Sequence, residues 1–426
     1  MRQSANSITS ELHRAMEIAS WSLNTGTASG CVPDLREQNI PNKSPEYEGS
    51  PMHYRELGTS GIEVSEVGFG AWVVGTDWWG DRSDDDSIEM IHHAIDQGIT
   101  FFDTGDVYGH GHSEEVVGEA LADYRDEVTV ATKIGYDFYN HPQAGHGELP
   151  KEITGEWVRE ATEKSLDRLD MEYVDLLQLH NANVDEVTPD VLEALDELKE
   201  EGLIKATGWA LGPSIGWLAE GDMAIEEEFD ALQIVWNAFE QDVGNHFLET
   251  IEETGSSTSL IGRVPHSSGL LNEQVRPETE LGSGDHRGFR PDEWYETGWE
   301  KLEELRFLER DGVSASEASR RQGAIEASDR ERTMAQASIA FLLGFDATAS
   351  VTPTFRTKDD ITEWAAASDV PKLTDEEMQR VTDLYADNFG IDRFDGMDAL
   401  RSSVDGDDIR DAGLDKRVAE GARNEA

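Results

Sequence analysis

The chain of 426 residues predicts a single-domain (β/α)8 barrel of the TIM type, with a long connection after the seventh strand. From Leu57 onward, short runs rich in Val, Ile and Leu alternate with longer amphipathic stretches, as in β-α-β units with a parallel sheet. Eight such runs in about 300 residues match a barrel better than an open sheet. The predicted strands are Val64–Trp72, Thr100–Thr104, Val128–Ile134, Val174–His180, Lys205–Leu211, Ala231–Asn237, Leu260–Val264 and Ala349–Thr352.

Stretches with apolar residues at helical spacing separate these strands. Gly98 and Gly202 each follow such a stretch, at the position where a glycine commonly ends a helix. The predicted helices include Asp84–Gln97, Glu114–Ala122, Thr154–Leu169, Thr188–Glu200 and Met334–Leu343.

One connection, residues 265–332, is much longer than the others. It is rich in charge and glycine, and it contains an apolar helical stretch, Trp299–Leu308. A connection of that length inside a compact domain is usually functional or disordered. Because it follows a strand, it leaves the carboxyl face of the barrel, where barrel enzymes hold their sites.

The two ends of the chain differ from its middle. Residues 1–51 carry four basic and six acidic side chains, a net charge of −2, so −52 of the total −54 belongs to residues 52–426. The first segment lacks strand alternation and holds the single cysteine, Cys31. We interpret it as a disordered extension, or as sequence upstream of a true start at Met52. Residues 52–390 are the predicted barrel, and residues 391–426 are expected to form an acidic, solvated tail.

The net charge of −54 and the pI near 4.3 exclude whole classes of partner. A chain with 89 acidic and 35 basic residues repels nucleic-acid phosphates and anionic lipid. Its apolar share is that of a globular protein, whereas lysine is scarce. This combination is typical of a halophilic protein, because salt at 1 M screens charge beyond about 3 Å. No apolar run is long enough for a membrane span and no signal peptide is evident, so we expect a cytoplasmic protein.

Four ionisable side chains follow the apolar parts of three strands: Asp103 and Tyr108 after the second, Lys133 after the third and His180 after the fourth. The carboxyl ends of barrel strands meet at one mouth, so these side chains are expected to converge. A free phenol, with a pKa near ~10, is a weak acid, but an adjacent ammonium stabilises its anion. We predict a proton-donor site in which Asp103 orients Lys133 beside Tyr108. His180 would direct a carbonyl oxygen toward the Tyr108 hydroxyl.

Several stretches of the chain match the motifs of one known family. They are Gly98–Gly109, Ser113-Glu114, Val117-Gly118, Val130–Lys133, Leu176–His180 and Ser267–Leu271. From Met52 to about Gly390 the chain resembles the aldo-keto reductase family. The resemblance implies a (β/α)8 barrel that binds NAD(P)(H) across its mouth without a Rossmann domain. It also implies hydride transfer to or from an aldehyde or ketone, with Tyr108 as general acid. Lys133 and Asp103 match the groups that tune this acid, and His180 matches the carbonyl-orienting residue.

The same resemblance implies cofactor-binding positions. Gln233 stands where the family binds the nicotinamide carboxamide, and Trp236 replaces the tyrosine that stacks on the nicotinamide ring. Ala210 and Leu211 replace a Ser-Asn pair, which leaves the carboxamide to Gln233 or to backbone groups. The other implied positions follow the seventh and eighth strands: Arg263, Pro265, Ser267, Gly269, Leu270, Thr354, Arg356, Asp360 and Trp364.

NADP and NAD both remain possible cofactors. Asp360 falls where a Gln or Arg commonly helps to bind the 2′-phosphate of NADP. A carboxylate there repels phosphate and accepts a hydrogen bond from a ribose hydroxyl, which favours NAD(H). The alternative is that Asp360, with Thr357 as N-cap, only completes a capping box. Trp364 replaces an Asn that contacts adenine.

An aromatic substrate pocket is expected at the mouth. Trp72, Trp78 and Trp79 follow the first strand, and we predict that they line the pocket together with His266 from the long connection.

We predict no metal site. One cysteine excludes every multi-cysteine metal site. His110, His112, Glu114 and Glu115 could form a cluster of metal ligands, but a helix start with Ser113 as N-cap explains them better.

The sequence therefore predicts an enzyme that transfers hydride between NAD(P)(H) and a small aldehyde, ketone or corresponding alcohol. Two alternatives stay open: an NAD(P)-dependent sugar dehydrogenase working oxidatively, or a non-catalytic cofactor-binding protein like the regulatory subunits of ion channels. The expected partners are small molecules, and neither nucleic acid nor a membrane is among them.

Overall fold

The computed structural model describes residues 51–76, 82–141, 149–212, 217–281, 285, 287, 292–309 and 332–391. The predicted extension and the predicted tail therefore lie almost wholly outside the described residues. Two predicted pocket residues, Trp78 and Trp79, also lie outside them.

A short antiparallel hairpin precedes the barrel. Its strands are β1 (Tyr54–Glu56) and β2 (Glu63–Ser65). The sequence pattern had placed the residues of β2 in one run with the first barrel strand, Val64–Trp72. The structure divides this run, because the chain leaves the hairpin after Ser65 before it enters the barrel.

Eight parallel strands form the barrel, in the order in which they occur along the chain. They are β3 (Phe69–Gly70), β4 (Phe101–Asp103), β5 (Thr129–Ile134), β6 (Val174–His180), β7 (Ile204–Ala210), β8 (Ala231–Val235), β9 (Ser259–Arg263) and β10 (Thr348–Thr352). The ring closes where Val67 pairs with Val351 and the Gly68 amide donates to the Val351 carbonyl oxygen at 2.9 Å. The predicted (β/α)8 fold is confirmed.

Helices connect successive strands around this ring. Their bounds are α1 (Asp84–Asp96), α2 (His112–Leu121), α3 (Gly155–Leu169), α4 (Pro189–Glu201), α5 (Leu218–Glu226), α6 (Asp242–Thr254), α7 (Asp292–Glu304), α8 (Met334–Leu343), α9 (Lys358–Ala365) and α10 (Asp375–Ala386). Gly202 caps α4 in the left-handed conformation, at φ 77°, as predicted. Within the described part of the chain, no helix is long and apolar enough to cross a membrane.

The strand alternation decides which side chains face the barrel interior. Seven strands each contribute one residue to a buried apolar cluster: Phe101, Ala131, Leu176, Ala206, Ala231, Ile261 and Ala349. Side chains two positions further along a strand point to the same face. Those residues include Asp103, Lys133, Gln178, Gln233 and Arg263. A polar layer therefore lies directly above an apolar floor, toward the carboxyl ends of the strands.

The long connection is helical in its described middle. Helix α7 begins at Asp292, and a short turn follows at Arg306–Leu308. The predicted helical stretch, Trp299–Leu308, therefore covered only the end of α7 and this turn. Arg332, at the end of the connection, donates to the carbonyl oxygens of Leu308 and Pro371, both at 2.8 Å. These bonds fix the connection to the helical layer.

Arg55 joins the hairpin to the chain near the last barrel strand. Its guanidinium donates to the carbonyl oxygens of Leu343, Phe345 and Thr348 at 2.7, 3.2 and 2.7 Å. Its Nε also pairs with the buried Glu66 carboxylate at 2.8 Å. One side chain therefore satisfies four acceptors between the hairpin and the α8–β10 turn.

Replacement of Arg55 by Ala should lower the free energy of unfolding by about 2–3 kcal/mol, because the Glu66 carboxylate and three carbonyl oxygens each lose one hydrogen-bond donor. Urea denaturation would measure this. Glu160→Gln is the control, since the pair of Glu160 with Lys164 is exposed and should contribute under ~0.5 kcal/mol. Equal losses in the two variants would contradict the anchoring role of Arg55.

Candidate active site

A buried ion pair forms the base of the barrel mouth. The Lys133 ammonium donates to Asp103 Oδ2 at 2.6 Å and to the Thr104 carbonyl oxygen at 2.7 Å. The two side chains are 1% and 7% exposed, respectively. The other carboxylate oxygen, Asp103 Oδ1, accepts from Gln178 Nε2 at 2.7 Å. The ammonium is thus held in one place between β4 and β5.

Gln178 was not predicted as a site residue. It lies two positions before His180 on β6 and therefore shares its face, so the period of two in Gln178-Leu179-His180 was the signal that could have revealed it. Its amide fixes the orientation of the Asp103 carboxylate.

Tyr108 lies above the ion pair on the turn between β4 and α2. The Lys133 ammonium is 5.0 Å from the centroid of its ring. Gly105 passes close beneath this ring, where a Cβ atom would come within 3.3 Å of Tyr108 Cζ. The Trp72 ring lies nearly parallel to the Tyr108 ring, with 6.4 Å between the centroids. The structure therefore brings Trp72, a predicted pocket residue, beside Tyr108.

His180, at the end of β6, completes the group. Its ring meets the Tyr108 ring edge to face at 5.9 Å. Burial, with Lys133, Arg263 and Lys151 nearby, holds the pKa of His180 well below its ordinary value. The imidazole is therefore neutral at neutral pH. All four predicted catalytic side chains lie together at the mouth.

The charge of Lys133 is secured by its neighbours. Burial by itself would lower the pKa of the Lys133 ammonium, but Asp103 and Tyr108 together raise it above its ordinary value. Lys133 is therefore a permanent cation beside the Tyr108 ring over the whole neutral range.

Two predicted cofactor residues also face the mouth. Gln233, on β8, is buried, and its Nε2 has no hydrogen-bond partner among the described residues. Arg263, at the end of β9, donates from Nη2 to the Leu211 carbonyl oxygen, whereas its buried Nε has no partner in the described part of the chain. Burial lowers the pKa of Arg263 from its usual value. Gln233 and Arg263 therefore each have an N–H group that could donate to a ligand at the mouth.

Trp236, which was predicted to stack on the nicotinamide ring, is buried in the structure. Its ring is 0% exposed and lies 4.9 Å from the Phe345 ring. On the helical side, a Cβ atom at Gly244 would come within 2.2 Å of the indole. The ring is thus enclosed between β8, α6 and the α8–β10 turn, and its stacking contact stays a prediction.

Trp364 and His266 pack against each other rather than around a ligand. Trp364 is 2% exposed, with its ring 4.2 Å from His266 and 5.4 Å from Phe355. His266 Nε2 donates to the Ala335 carbonyl oxygen at 3.1 Å, and burial lowers its pKa to about 4. Both rings belong to the packing between α8 and α9, and the adenine contact of Trp364 and the pocket position of His266 stay predictions.

The remaining predicted cofactor residues lie on the two segments that follow β9 and β10. In the first segment, Ser267 and Gly269 have positive φ values of 46° and 98° and form a tight turn. The Leu270 side chain is buried against Gly298 of α7, so that only its backbone could contact a ligand. The residues of this group that complete the two segments are Pro265, Thr354 and Arg356.

Asp360 forms the capping box that the sequence offered as an alternative. Thr357 Oγ1 accepts from the Asp360 amide at 3.1 Å, and Asp360 Oδ2 accepts from the Thr357 amide at 3.0 Å. Oδ2 also accepts from the Arg356 amide at 3.1 Å, and Oδ1 accepts from Gln274 Nε2 at 3.1 Å. Burial raises the pKa of this carboxyl. Both oxygens therefore have structural partners.

The start of α2 differs from its predicted form. Helix α2 is capped by Gly111, at φ 91°, and not by Ser113, whose hydroxyl instead lies 3.0 Å from that of Thr104. Glu114 is buried and pairs with Arg168 of α3 at 2.6 Å. No group of three or more His, Cys, Asp or Glu side chains among the described residues could hold a metal ion.

The family model that matches the chain is that of the Aldo/keto reductase family, over residues 66–386. The chain belongs to this family. Aldo-keto reductase YhdN of Bacillus subtilis (strain 168) is 31% identical over 250 residues, which cover 56% of this chain and 70% of that protein. The uncharacterized oxidoreductase YqkF of the same organism is 27% identical over 328 residues, which cover 77% and 95%.

A solved structure agrees with this assignment. The holo form of aldo-keto reductase AKR11C1 from Bacillus halodurans matches with a TM-score of 0.62 and 25% identity, covering 78% of this chain and 96% of that one. An aldo-keto reductase with relatives named as reductases and oxidoreductases is an NAD(P)-dependent enzyme.

Replacement of Lys133 by Met in this aldo-keto reductase should lower the free energy of unfolding by about 3–5 kcal/mol, because the buried Asp103 carboxylate loses its cation. The double variant Lys133→Met/Asp103→Leu should be the more stable of the two, since it leaves no unpaired charge. Urea titrations would compare the two with wild type. A single variant as stable as the double variant would contradict the buried ion pair.

Proposed function

We propose that this aldo-keto reductase transfers hydride between NAD(P)(H) and a small aldehyde or ketone, or the corresponding alcohol, with Tyr108 as general acid or base. The observation that carries the proposal is the arrangement of Tyr108 between a buried cation and a neutral histidine.

His180 is suited to hold the carbonyl oxygen. A neutral imidazole has one N–H donor, and the surroundings favour its placement on Nε2, because an N–H on the buried Nδ1 would have no acceptor among the described residues. His180 Nε2 would then donate to the substrate oxygen and direct it toward the Tyr108 hydroxyl.

Tyr108 would deliver the proton as negative charge develops on that oxygen. The phenolate left behind would lie beside the Lys133 ammonium, whose attraction offsets the cost of this buried charge. Asp103 and the Thr104 carbonyl oxygen keep the ammonium in place during the transfer. In the oxidative direction the same residues would take up the proton.

The residues at the mouth fit a nicotinamide cofactor, which when bound supplies or accepts the hydride. The unpartnered amide of Gln233 suits a carboxamide, and Arg263 offers positive charge where the apolar barrel floor ends. The turn at Ser267 and Gly269, together with Arg356, would bind the phosphates.

Replacement of Tyr108 by Phe should lower kcat by at least about 10²–10⁴-fold, because the variant lacks the proton donor but keeps the ring. The dissociation constants of NADH and NADPH, measured by fluorescence quenching, should change less than twofold. The assay follows oxidation of both cofactors, and the reverse reduction, over aldehydes, ketones and sugars in molar KCl.

Three results of this assay are informative. Full turnover by the Phe variant would falsify the acid assignment. Turnover confined to sugars in the oxidative direction would identify a sugar dehydrogenase. Tight cofactor retention without turnover by the wild type would instead indicate a cofactor-binding regulatory protein.

We further propose that the enzyme prefers NAD(H), on the strength of the Asp360 carboxylate beside the Arg356 backbone. Asp360→Asn keeps an acceptor for the capping box but removes the charge. The ratio of the NADPH to the NADH dissociation constant should fall by about tenfold, or ~1.4 kcal/mol.

Thr357→Ala is the matched control for this experiment. It removes the cap of α9 and should cost about 1 kcal/mol of stability, but it leaves the charge of Asp360 in place. Its cofactor ratio should therefore equal that of the wild type. An unchanged ratio in Asp360→Asn would show that Asp360 acts only as a cap.

A further inference from the structure

The His180 ring is oriented without the hydrogen bond that commonly fixes a functional histidine. A functional histidine is commonly oriented by a hydrogen bond to the ring nitrogen that does not meet the substrate. In His180 that nitrogen, Nδ1, is buried, and no described residue offers it a partner. Two aromatic rings contact the imidazole instead: Tyr108 at 5.9 Å and 81°, and Tyr136 at 5.1 Å and 79°.

Tyr136 is itself held from both ends. Its hydroxyl accepts from Asn181 Nδ2 at 2.7 Å, and Asn181 directly follows His180 in the chain. Its backbone forms an antiparallel bridge with Lys151. Flanking bonds join the Asp137 amide to the Pro150 carbonyl oxygen at 2.8 Å and the Glu152 amide to that of Gly135 at 3.0 Å. The loop after β5 thus returns on itself and fixes Tyr136 over the mouth.

The same loop packs against the turn that carries Tyr108. Tyr136, Phe138 and Leu149 form a small buried cluster, and Val107 packs against it. Since Val107 precedes Tyr108, one cluster supports both rings that meet His180.

We propose that Tyr136 is a positioning residue for His180, and that its edge-to-face ring contact, held in place by its bond to Asn181, replaces the missing hydrogen bond to Nδ1. The inference rests on the proposed function, in which His180 orients the carbonyl. It assigns Tyr136 a role through another side chain rather than in the proton transfer.

Because of its surroundings, the pKa of His180 should respond to loss of the Tyr136 contact. The groups that bear on the ring from the neighbouring strands and loops are the cations of Lys133, Arg263 and Lys151 and the hydroxyls of Tyr108 and Tyr136. Burial is the largest cause of its lowered pKa. Loss of the Tyr136 ring should admit water and move that pKa up toward its ordinary value.

Three variants separate positioning from loop stability. Tyr136→Leu removes the ring contact with His180, whereas Tyr136→Phe keeps the ring and removes only the hydrogen bond to Asn181. Phe138→Leu is the matched control. Phe138 belongs to the same cluster, but its ring lies against those of Tyr139 and His110. Each variant is assayed for kcat, KM and NAD(P)H dissociation constant. The His180 titration is followed by NMR of ¹³C-histidine-labelled full-length enzyme, with the signal assigned by its loss in His180→Gln.

Tyr136→Leu should lower kcat by about tenfold, leave the cofactor dissociation constant within twofold, and raise the His180 titration midpoint by a unit or more. Tyr136→Phe should stay within about threefold of wild-type kcat. Phe138→Leu keeps an apolar side chain in the cluster, so it should lower kcat much less than Tyr136→Leu and leave the titration unchanged. Wild-type kcat and titration in Tyr136→Leu would overturn the inference, as would equal effects in Phe138→Leu. A wild type that reduces no carbonyl overturns the proposed function, whereas the titration shift still decides whether Tyr136 positions His180.

Discussion

The buried pair of Lys133 and Asp103 is the interaction on which the mouth of the barrel depends. Two buried charges lose their hydration, so nearly all of their polar atoms need hydrogen-bond partners in the protein. Here Gln178 and the Thr104 carbonyl oxygen supply the additional partners. The Asp106 amide donates to the Lys133 carbonyl oxygen at 3.0 Å, so the turn that presents Tyr108 is fixed to the same strand as the cation beneath it. The same contacts therefore determine the register between β4 and β5, the placement of the ammonium and the orientation of the Tyr108 ring.

The electrostatics of the mouth contrast with those of the chain as a whole. The formal net charge is −54, yet Lys133, Lys151 and Arg263 all lie near His180. Burial is the main cause of the lowered pKa of His180, and the three cations add to it. The same cations form a local positive region in a protein that otherwise repels anions. Such a region suits a dinucleotide and a developing oxyanion. Among the buried acidic residues, Glu114 pairs with Arg168 of α3.

The strand positions and the polar residues at the strand ends were predictable because both follow from local patterns. The run Val174–His180 was predicted to the residue, and Asp103, Lys133 and His180 stand where apolar runs become polar. Two aromatic residues predicted to contact the cofactor are buried in the structure. Trp236 and Trp364 occupy family positions for ligand contacts, but the structure encloses both rings between neighbouring helices and strands. Sequence position does not reveal which side of a strand end or helix an aromatic ring covers, since Gly244 and Phe355, which lie against these rings, come from elsewhere in the chain. Ser113 failed as an N-cap for a similar reason, because Thr104 competes for its hydroxyl.

The sequence by itself determined the barrel, the order of its strands and the four residue types at its mouth, because hydrophobic periodicity and strand-end polarity are encoded within a few neighbouring positions. Only the tertiary structure decided how these residues act on one another. His180 is neutral mainly because the fold buries it, with cations from separate parts of the chain adding to the effect, and the ring of Tyr136 reaches it from the loop after β5. Asp360 has contacts of both kinds. Its capping box is local and could be predicted from Thr357, whereas its hydrogen bond to Gln274 joins residues 86 positions apart. Contacts across such separations exist only once the chain has closed into a ring, since that closure brings the strand ends together.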